Sequence, residues 1–284
     1  MTDHLAAEPA TDGDAHFRNF QRHNLGHAAE HFATTVTGPP TFGWRLRSIS
    51  APVAGPDGER WLRVVSEEPQ WAKGNGWTGN TDANVIIGLA KPQVLDMYEW
   101  PEGDWRHQRA ELMTRLDGQP PAATDVLRST MDAPDEWWRS LRRALDVTAA
   151  TPTDRVHADQ DRVTERIRAR FGEDVDTTVT EWSTAHADVH WSNLMLPFGL
   201  LDWELWGRAP AGLDAATLLS YSLLVPDVAA RVHDVFTDVL DTRTGRLAQL
   251  YVAARLLQRH DLGDHPELAQ PLREHADHIL KMID

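Results

Sequence analysis

The sequence predicts an α+β fold in which a β-rich N-terminal part precedes a mainly helical C-terminal part. In residues 42 to 67, strand-like segments lie on both sides of the turn sequence GPDGE, which predicts an antiparallel hairpin. Beyond residues 117 to 123, apolar residues recur at helical spacing instead. The 284 residues, 41% of them hydrophobic, suffice for one large domain or two modest ones.

The N-terminal part is predicted to contain one helix before the sheet and one within it. Residues 14 to 36 show helical periodicity, which the sequence TGPP ends. KPQVLDMYEW and WRHQRAELMTRL predict two further strands joined by PEGD. Between the two hairpins we expect a loop at residues 70 to 80, with Trp71 and Trp77 in a mobile lid, and a short helix at residues 81 to 89.

The C-terminal part is predicted to be a set of amphipathic helices interrupted by a short group of strands. DEWWRSLRRALDVTAA and residues 154 to 171 begin this part, and four more helical segments follow residue 210. Between them, NLML and LLDWE lie on either side of the turn PFG and predict a tight hairpin.

Composition and charge exclude several classes of function. The net charge of −15 argues against nucleic acid or an anionic membrane as the main partner. The absence of cysteine excludes disulfides, thiolate metal sites and cysteine nucleophiles. No apolar run approaches the roughly 20 residues needed to cross a bilayer, and the N-terminus does not resemble a secretory signal, so we expect a cytoplasmic protein.

The predicted hairpin places polar side chains at one end of its strands. Asn193 begins one strand, Asp202 ends its partner, and Asp188 lies in the loop just before them. Because the ends of antiparallel strands are neighbours, these three side chains are expected to converge. Their ligand atoms are all oxygens, which suit magnesium.

The segment HADVHWSN resembles the catalytic loop of the aminoglycoside phosphotransferase and choline kinase families, which are relatives of protein kinases. The family pattern is His-x-Asp, four residues and Asn, and His186, Asp188 and Asn193 fall on it. An Asp followed by an aromatic residue comes next in the family and matches Asp202 here. AGLDAATL, with Asp214, is similar to the segment that follows it there.

The resemblance implies a two-lobed kinase-like phosphotransferase that uses ATP or GTP with Mg²⁺ to phosphorylate a hydroxyl of a small molecule. Residues 1–37 would form a tail and a helix, 38–116 the N-lobe on the nucleotide side, and 117–284 the C-lobe with the catalytic loop. The acidic net charge mildly favours a cationic acceptor, such as an aminoglycoside or an amino alcohol.

The same resemblance assigns a role to each matching residue. Asp188 would orient the acceptor hydroxyl or accept its proton, and Asn193 and Asp202 would hold magnesium. His186 and Asp214 would support the loop structurally. In the resemblance, His190 occupies a variable loop position.

The N-terminal part departs from the family pattern at its phosphate-binding lysine. Arg63 occupies the matching position; Lys91, which precedes a proline, is not expected to replace that lysine. Arginine can grip phosphate through two donors, yet it does not substitute conservatively for lysine. Asp82 is a weak candidate for the acid that pairs with this residue. A degenerate kinase that binds nucleotide without catalysis, or binds nothing, therefore stays open as an alternative.

A metallohydrolase is the remaining alternative. His186, Asp188 and His190 alternate in sequence, so on a strand they would share one face, as zinc or iron ligands can. This hypothesis needs further ligands, and the other histidines lie without a supporting motif.

Overall fold

The computed structural model describes residues 12–283 and divides the chain into two compact units. Unit 1 comprises Met1–Thr81 and Pro92–Arg115, and unit 2 comprises Asp82–Lys91 and Leu116–Asp284. The predicted N-terminal tail lies outside the described residues. Within the described part of the chain, no helix combines the length and the apolar character that crossing a membrane requires.

Unit 1 is a six-stranded antiparallel sheet with one long helix packed on it. In chain order its elements are α1 (Asp12–His31), β1 (Thr35–Val36), β2 (Thr41–Phe42), β3 (Ser48–Gly55), β4 (Gly58–Glu67), α2 (Asn75–Asp82), β5 (Val94–Glu102) and β6 (Arg106–Thr114). The sheet order is β1-β3-β4-β6-β5, with β2 also paired to β3. Both predicted hairpins are confirmed.

The core of unit 1 follows from the alternation of side chains along its strands. Ile49, Ala51 and Val53 on β3 point to one face of the sheet and are fully buried. They form one apolar cluster with residues of α1, including Leu25 and Ala28. The helix thus covers the apolar face that the hairpin presents.

The structure corrects two expectations in unit 1. The first helix ends at His31, and Thr35–Val36 pair with β3 instead of continuing it. The second helix, α2, lies at Asn75–Asp82 and is followed by one 3₁₀ turn, so it occupies the segment that was expected to be a loop. Trp77 is buried in α2 and donates to Glu99 at 2.9 Å, which excludes it from a mobile lid, whereas Trp71 is exposed.

Unit 2 is helical except for two small antiparallel pairs of strands. Its elements are α3 (Asp135–Ala150), α4 (Gln160–Phe171), β7 (Trp182–Ala185), β8 (Leu194–Met195), β9 (Gly199–Leu200), β10 (Gly207–Pro210), α5 (Leu213–Ser222), α6 (Pro226–Leu240), α7 (Arg243–Asp261) and α8 (Ala269–Leu280). The predicted hairpin is β8–β9, and β7 pairs with β10.

Helix α5 is buried on all sides, as every residue from Leu213 to Ser222 is buried, and α6 and α7 pack against it. A helix buried in this way fixes the position of its first turn, and with it that of Asp214. Helix α4 is shorter than predicted because Asp159 caps it by accepting a hydrogen bond from the backbone N–H of Arg162.

Candidate active site

The loop from His186 to Asn193 connects β7 to β8 within unit 2. In the β8–β9 hairpin Leu194 pairs with Leu200, and the backbone N–H of Leu201 donates to the carbonyl of Asn193 at 2.8 Å. The pairing therefore extends one residue beyond the strands and brings Asn193 and Asp202 to the same end of the hairpin. Asp202 has a φ of +60°, which few residues other than glycine adopt.

Asp214, in the first turn of α5, holds the start of the loop. Its carboxylate accepts hydrogen bonds from the backbone N–H of His186 at 2.7 Å and of Ala187 at 2.8 Å. Ala187 has a φ of +72°, a strained conformation that needs such support. Burial raises the pKa of Asp214 to about 6, although the two backbone donors oppose this, so the carboxylate is ionised at neutral pH.

His186 links the loop to the hairpin. It is fully buried, its Nε2 lies 2.9 Å from the carbonyl of Leu201, and its Nδ1 accepts from the backbone N–H of Asp188 at 3.3 Å. Its ring packs edge-on against Trp203 at 4.6 Å. Burial lowers the pKa of His186 to about 4, so the imidazole is neutral and donates to Leu201 through Nε2.

Asp188 is the partly accessible carboxylate of the loop, with 27% of its side chain exposed. Burial alone would raise its pKa, but the hydrogen bond with His190 and the charges of His190 and Arg255 lower that pKa to about 2. The carboxylate is therefore ionised wherever the protein would be assayed. His190 is more than a variable loop position, because its Nε2 lies 3.5 Å from Asp188 Oδ2.

Asn193 has a side chain oriented by the loop itself. Its Nδ2 donates to the carbonyl of Asp188 at 3.1 Å and also lies 3.0 Å from His190 Nε2. The hydrogen bond donated to Asp188 orients the amide, and Oδ1 is the atom of Asn193 that is available to a ligand. An amide oxygen with the nearby Asp202 carboxylate forms an oxygen donor set that fits magnesium.

A zinc or iron site is less compatible with this arrangement. Both ring nitrogens of His186 are engaged in hydrogen bonds, so neither is open to a metal. Among residues 12–283, no group of three or more His, Asp and Glu side chains is arranged to hold a metal ion.

Arg63 lies in unit 1, on β4, opposite Glu111 of β6. Its Nη1 is 3.5 Å from Glu111 Oε2, and both side chains are largely buried. Glu111 also accepts from Asn80 at 2.9 Å and from Arg109 at 3.1 Å. The acid that pairs with Arg63 thus lies on the neighbouring strand, whereas Asp82, the weak sequence candidate, forms an ion pair with Arg155.

Two charged residues lie near the loop although the sequence did not predict this position for either. Arg255 of α7 donates from Nη1 to the carbonyl of Ala187 at 3.2 Å. Lys91 is buried, and its ammonium lies 5.6 Å from the ring centre of Trp203, next to Asp202. Burial lowers the pKa of Lys91 to about 8. Both residues are far from the motif in sequence, and only the fold brings them to it.

Comparison with known proteins identifies the fold. No family model matches the chain, and no curated protein matches its sequence. Among solved structures, a mutant of the aminoglycoside phosphotransferase APH(4)-Ia with ADP and hygromycin B superimposes with a TM-score of 0.59 at 13% identity, over 91% of this chain and 98% of that one. The amicoumacin kinase hAmiN, with AMP-PNP and Ca²⁺, gives 0.58 at 13% identity, over 94% and 96%.

A second structure of APH(4)-Ia superimposes with a TM-score of 0.58 at 14% identity, over 90% of this chain and 97% of that one. The protein therefore has the protein-kinase-like fold of the aminoglycoside phosphotransferases, which confirms the predicted fold class and the resemblance. At sequence identities this low, the structural similarity establishes the fold alone. The function is therefore argued from the geometry of the site.

Proposed function

We propose that the protein is a phosphotransferase that moves the γ-phosphate of ATP or GTP to a hydroxyl of a small molecule. The observation that carries this proposal is the ionised, partly accessible carboxylate of Asp188 on a loop that also orients Asn193. The fold supports it, because structures that share the fold include small-molecule kinases with bound nucleotides.

The proposal assigns a role to each residue of the site. Asp188 orients the acceptor hydroxyl and accepts its proton as the new oxygen–phosphorus bond forms and the bond from the γ-phosphorus to the bridging oxygen breaks, which releases the nucleoside diphosphate. Asn193 and Asp202 would hold Mg²⁺, which when bound would neutralise charge on the phosphate oxygens. His186 and Asp214 keep the loop in its strained conformation, and Arg63 grips the nucleotide phosphates.

The acceptor in this proposal is a small molecule. The protein has neither nucleic acid nor a membrane as its partner, and it acts in the cytoplasm. The net charge of −15 argues against nucleic acid and an anionic membrane as partners. The negative net charge of the chain also favours a cationic acceptor, for example an aminoglycoside or an amino alcohol.

A nucleotide-binding protein without catalysis is the second candidate. The observation in its favour is that arginine occupies the position of the family's phosphate-binding lysine and is engaged with Glu111. Both candidates predict nucleotide binding, but only the first predicts turnover.

The proposal is tested by thermal unfolding with nucleotide, followed by a turnover screen. Millimolar ATP or GTP with magnesium should raise the melting temperature of the wild-type protein, and Asp202→Ala should abolish the magnesium-dependent part of that rise. Nucleotide consumption is then measured against aminoglycosides, nucleosides, amino alcohols and sugars. Absence of any shift with either nucleotide would overturn both candidates.

A further inference from the structure

Asp202 lies in a segment without regular secondary structure. Strand β9 ends at Leu200 and β10 begins at Gly207, and between them Asp202 has a φ of +60°. A conformation of this kind persists where contacts hold the backbone on both sides of the residue. On the upstream side, the backbone hydrogen bond from Leu201 to Asn193 at 2.8 Å supplies such a contact.

On the downstream side, the side chain of Arg155 holds the backbone. Its Nε donates to the carbonyl of Trp206 at 3.0 Å, and its Nη2 donates to the carbonyl of Glu204 at 3.1 Å. The guanidinium carbon also lies 4.6 Å from the centre of the Trp206 ring. The carbonyl between these two, that of Leu205, accepts from Nδ1 of His157 at 3.2 Å. Two side chains therefore hold three consecutive carbonyls just after Asp202.

The remaining guanidinium nitrogen of Arg155, Nη1, forms an ion pair with Asp82. Asp82 and Ala90 belong to one short segment of unit 2. The carbonyl of Ala90 accepts from the backbone N–H of Leu200 at 2.9 Å. This segment therefore contacts the chain before Asp202 directly, and the chain after it through Arg155.

The backbone of Arg155 is itself fixed beside β10. Its carbonyl accepts from the N–H of Arg208 at 2.8 Å, and the N–H of His157 donates to the carbonyl of Arg208 at 3.0 Å. Gly207 lies so close to this backbone that a Cβ at its position would be 3.1 Å from the carbonyl oxygen of Arg155. The guanidinium thus extends from a backbone that has little freedom to move.

The set of contacts is one that arginine is suited to make. Its planar guanidinium has donors on three nitrogens, and here each nitrogen contacts a different acceptor. Only 10% of the Arg155 side chain is exposed. A buried ion pair adds little to stability, since apolar residues of similar volume often serve as well. What the arginine adds is a defined position for two backbone carbonyls, and Asp202 lies two residues before the first of them.

We propose that Arg155 is a positioning residue for Asp202. By holding two carbonyls of the segment that follows, it keeps the Asp202 carboxylate at the end of the hairpin beside Asn193, where the two would hold Mg²⁺. This role rests on the proposed function, because Asp202 is taken there as a metal ligand. Asp82 then neutralises the guanidinium that holds the segment, instead of pairing with a phosphate-binding residue.

The experiment measures the affinity for ATP by calorimetric titration, once with magnesium and once with EDTA. The ratio of the two dissociation constants reports the contribution of the metal, and a general loss of stability does not change it. The wild-type protein should bind ATP more tightly with magnesium, and Arg155→Met should reduce the ratio by about tenfold, as is usual when a residue that orients a metal ligand is lost. Arg155→Lys keeps the charge but cannot reach both carbonyls, so it should show an intermediate reduction.

Arg142→Met is the matched control. Arg142 also donates to a backbone carbonyl, that of Val235 at 3.1 Å, pairs with Asp238 at 2.7 Å and lies 5.7 Å from the ring centre of Phe236. These contacts join α3 to α6 and do not involve the segment after β9. The control should therefore keep the wild-type ratio even if it lowers the free energy of unfolding.

The double variant Arg155→Met/Asp202→Ala tests whether Arg155 acts through Asp202. It should have the same ratio as Asp202→Ala, because the effects of residues that act as one unit are not additive. If Arg155→Met does not fold, Arg155→Lys decides the question alone.

Two outcomes separate this inference from the proposed function. A wild-type protein whose ATP affinity does not depend on magnesium would contradict the metal role of Asp202 and the positioning role of Arg155 together. A clear magnesium effect that either Arg155 variant retains in full would overturn the positioning role alone, and so would an equal loss in Arg142→Met.

Discussion

The carboxylate of Asp214 accepts a hydrogen bond from the backbone of His186, and this contact ties α5 to the loop from His186 to Asn193. The hydrogen bond from the His186 N–H is 2.7 Å long, and a second one comes from Ala187, whose φ is positive. Because α5 is buried on all sides, Asp214 anchors the loop to a helix that its neighbours enclose. A strained loop can keep its conformation only when its surroundings hold it.

Asp214→Asn should therefore weaken both stability and activity. An asparagine can accept only through Oδ1, so its amide nitrogen would face one of the two backbone donors and leave it unpaired. We expect a loss of about 1–3 kcal/mol in the free energy of unfolding, measured by denaturant titration, and a lower kcat with a smaller change in KM.

The control for this variant is Asp227→Asn, which changes an exposed acid in the first turn of α6. Its free energy of unfolding should stay within about 0.5 kcal/mol of the wild type. Equal stability and turnover in Asp214→Asn and the wild type would show that this contact does not support the loop.

Arg63 is the candidate for gripping the nucleotide phosphates. Arg63→Ala should weaken binding of magnesium and ATP by about 10-fold or more, the value expected for loss of a charge-assisted hydrogen bond. Arg63→Lys should retain part of the affinity. The fold should survive, because Glu111 keeps its contacts with Asn80 and Arg109. Calorimetric titration with nucleotide measures each affinity.

The matched control is Arg60→Ala, three residues earlier on β4 and hence on the opposite face of the strand. It should bind nucleotide as the wild type does. If Arg63→Ala also binds normally, Lys91 becomes the candidate, since it lies beside Trp203 in the segment that carries Asp202. In that case Lys91→Met should show the loss instead.

The parts of the structure that sequence could predict are those fixed by local spacing. The Pro-Asp-Gly turn sets the β3–β4 hairpin, and the Pro-Phe-Gly turn sets β8–β9, so the approach of Asn193 and Asp202 follows from a few neighbouring residues. The loop from His186 to Asn193 directly precedes β8 and is itself a contiguous motif.

The parts that sequence could not predict depend on tertiary contacts. Helix α2 is rich in Gly, Asn and Thr, residues of low helix propensity, and it is stabilised by contacts of Trp77 and Asn80 with acids of the sheet. Arg255 lies 68 residues beyond Ala187, and no local sequence pattern predicts the contact between them. The proline that follows Lys91 argues against a phosphate-binding role in the sequence, yet it does not prevent the burial of Lys91 beside Trp203.

Asp188 provides the test that separates an enzyme from a protein that only binds nucleotide. Its carboxylate has a pKa of about 2 and is partly exposed, as a group that meets the acceptor hydroxyl must be. Asparagine has nearly the same size and keeps the backbone contacts of residue 188 with His186 and Asn193. Asp188→Asn should therefore fold normally and keep most of its nucleotide affinity.

Turnover in Asp188→Asn should fall by about 10²–10⁴-fold, the usual contribution of a general base. Because the pKa of Asp188 is about 2, the base is fully ionised at pH 6 and at pH 8, so the ratio of wild-type to variant kcat should be the same at both. The thermal shift with nucleotide serves as the internal control and should be unchanged. A protein that binds nucleotide without catalysis would show the shift but no turnover in either form. If the variant keeps wild-type turnover within a few-fold, Asp188 is not the base, and the mechanism proposed for this loop is wrong.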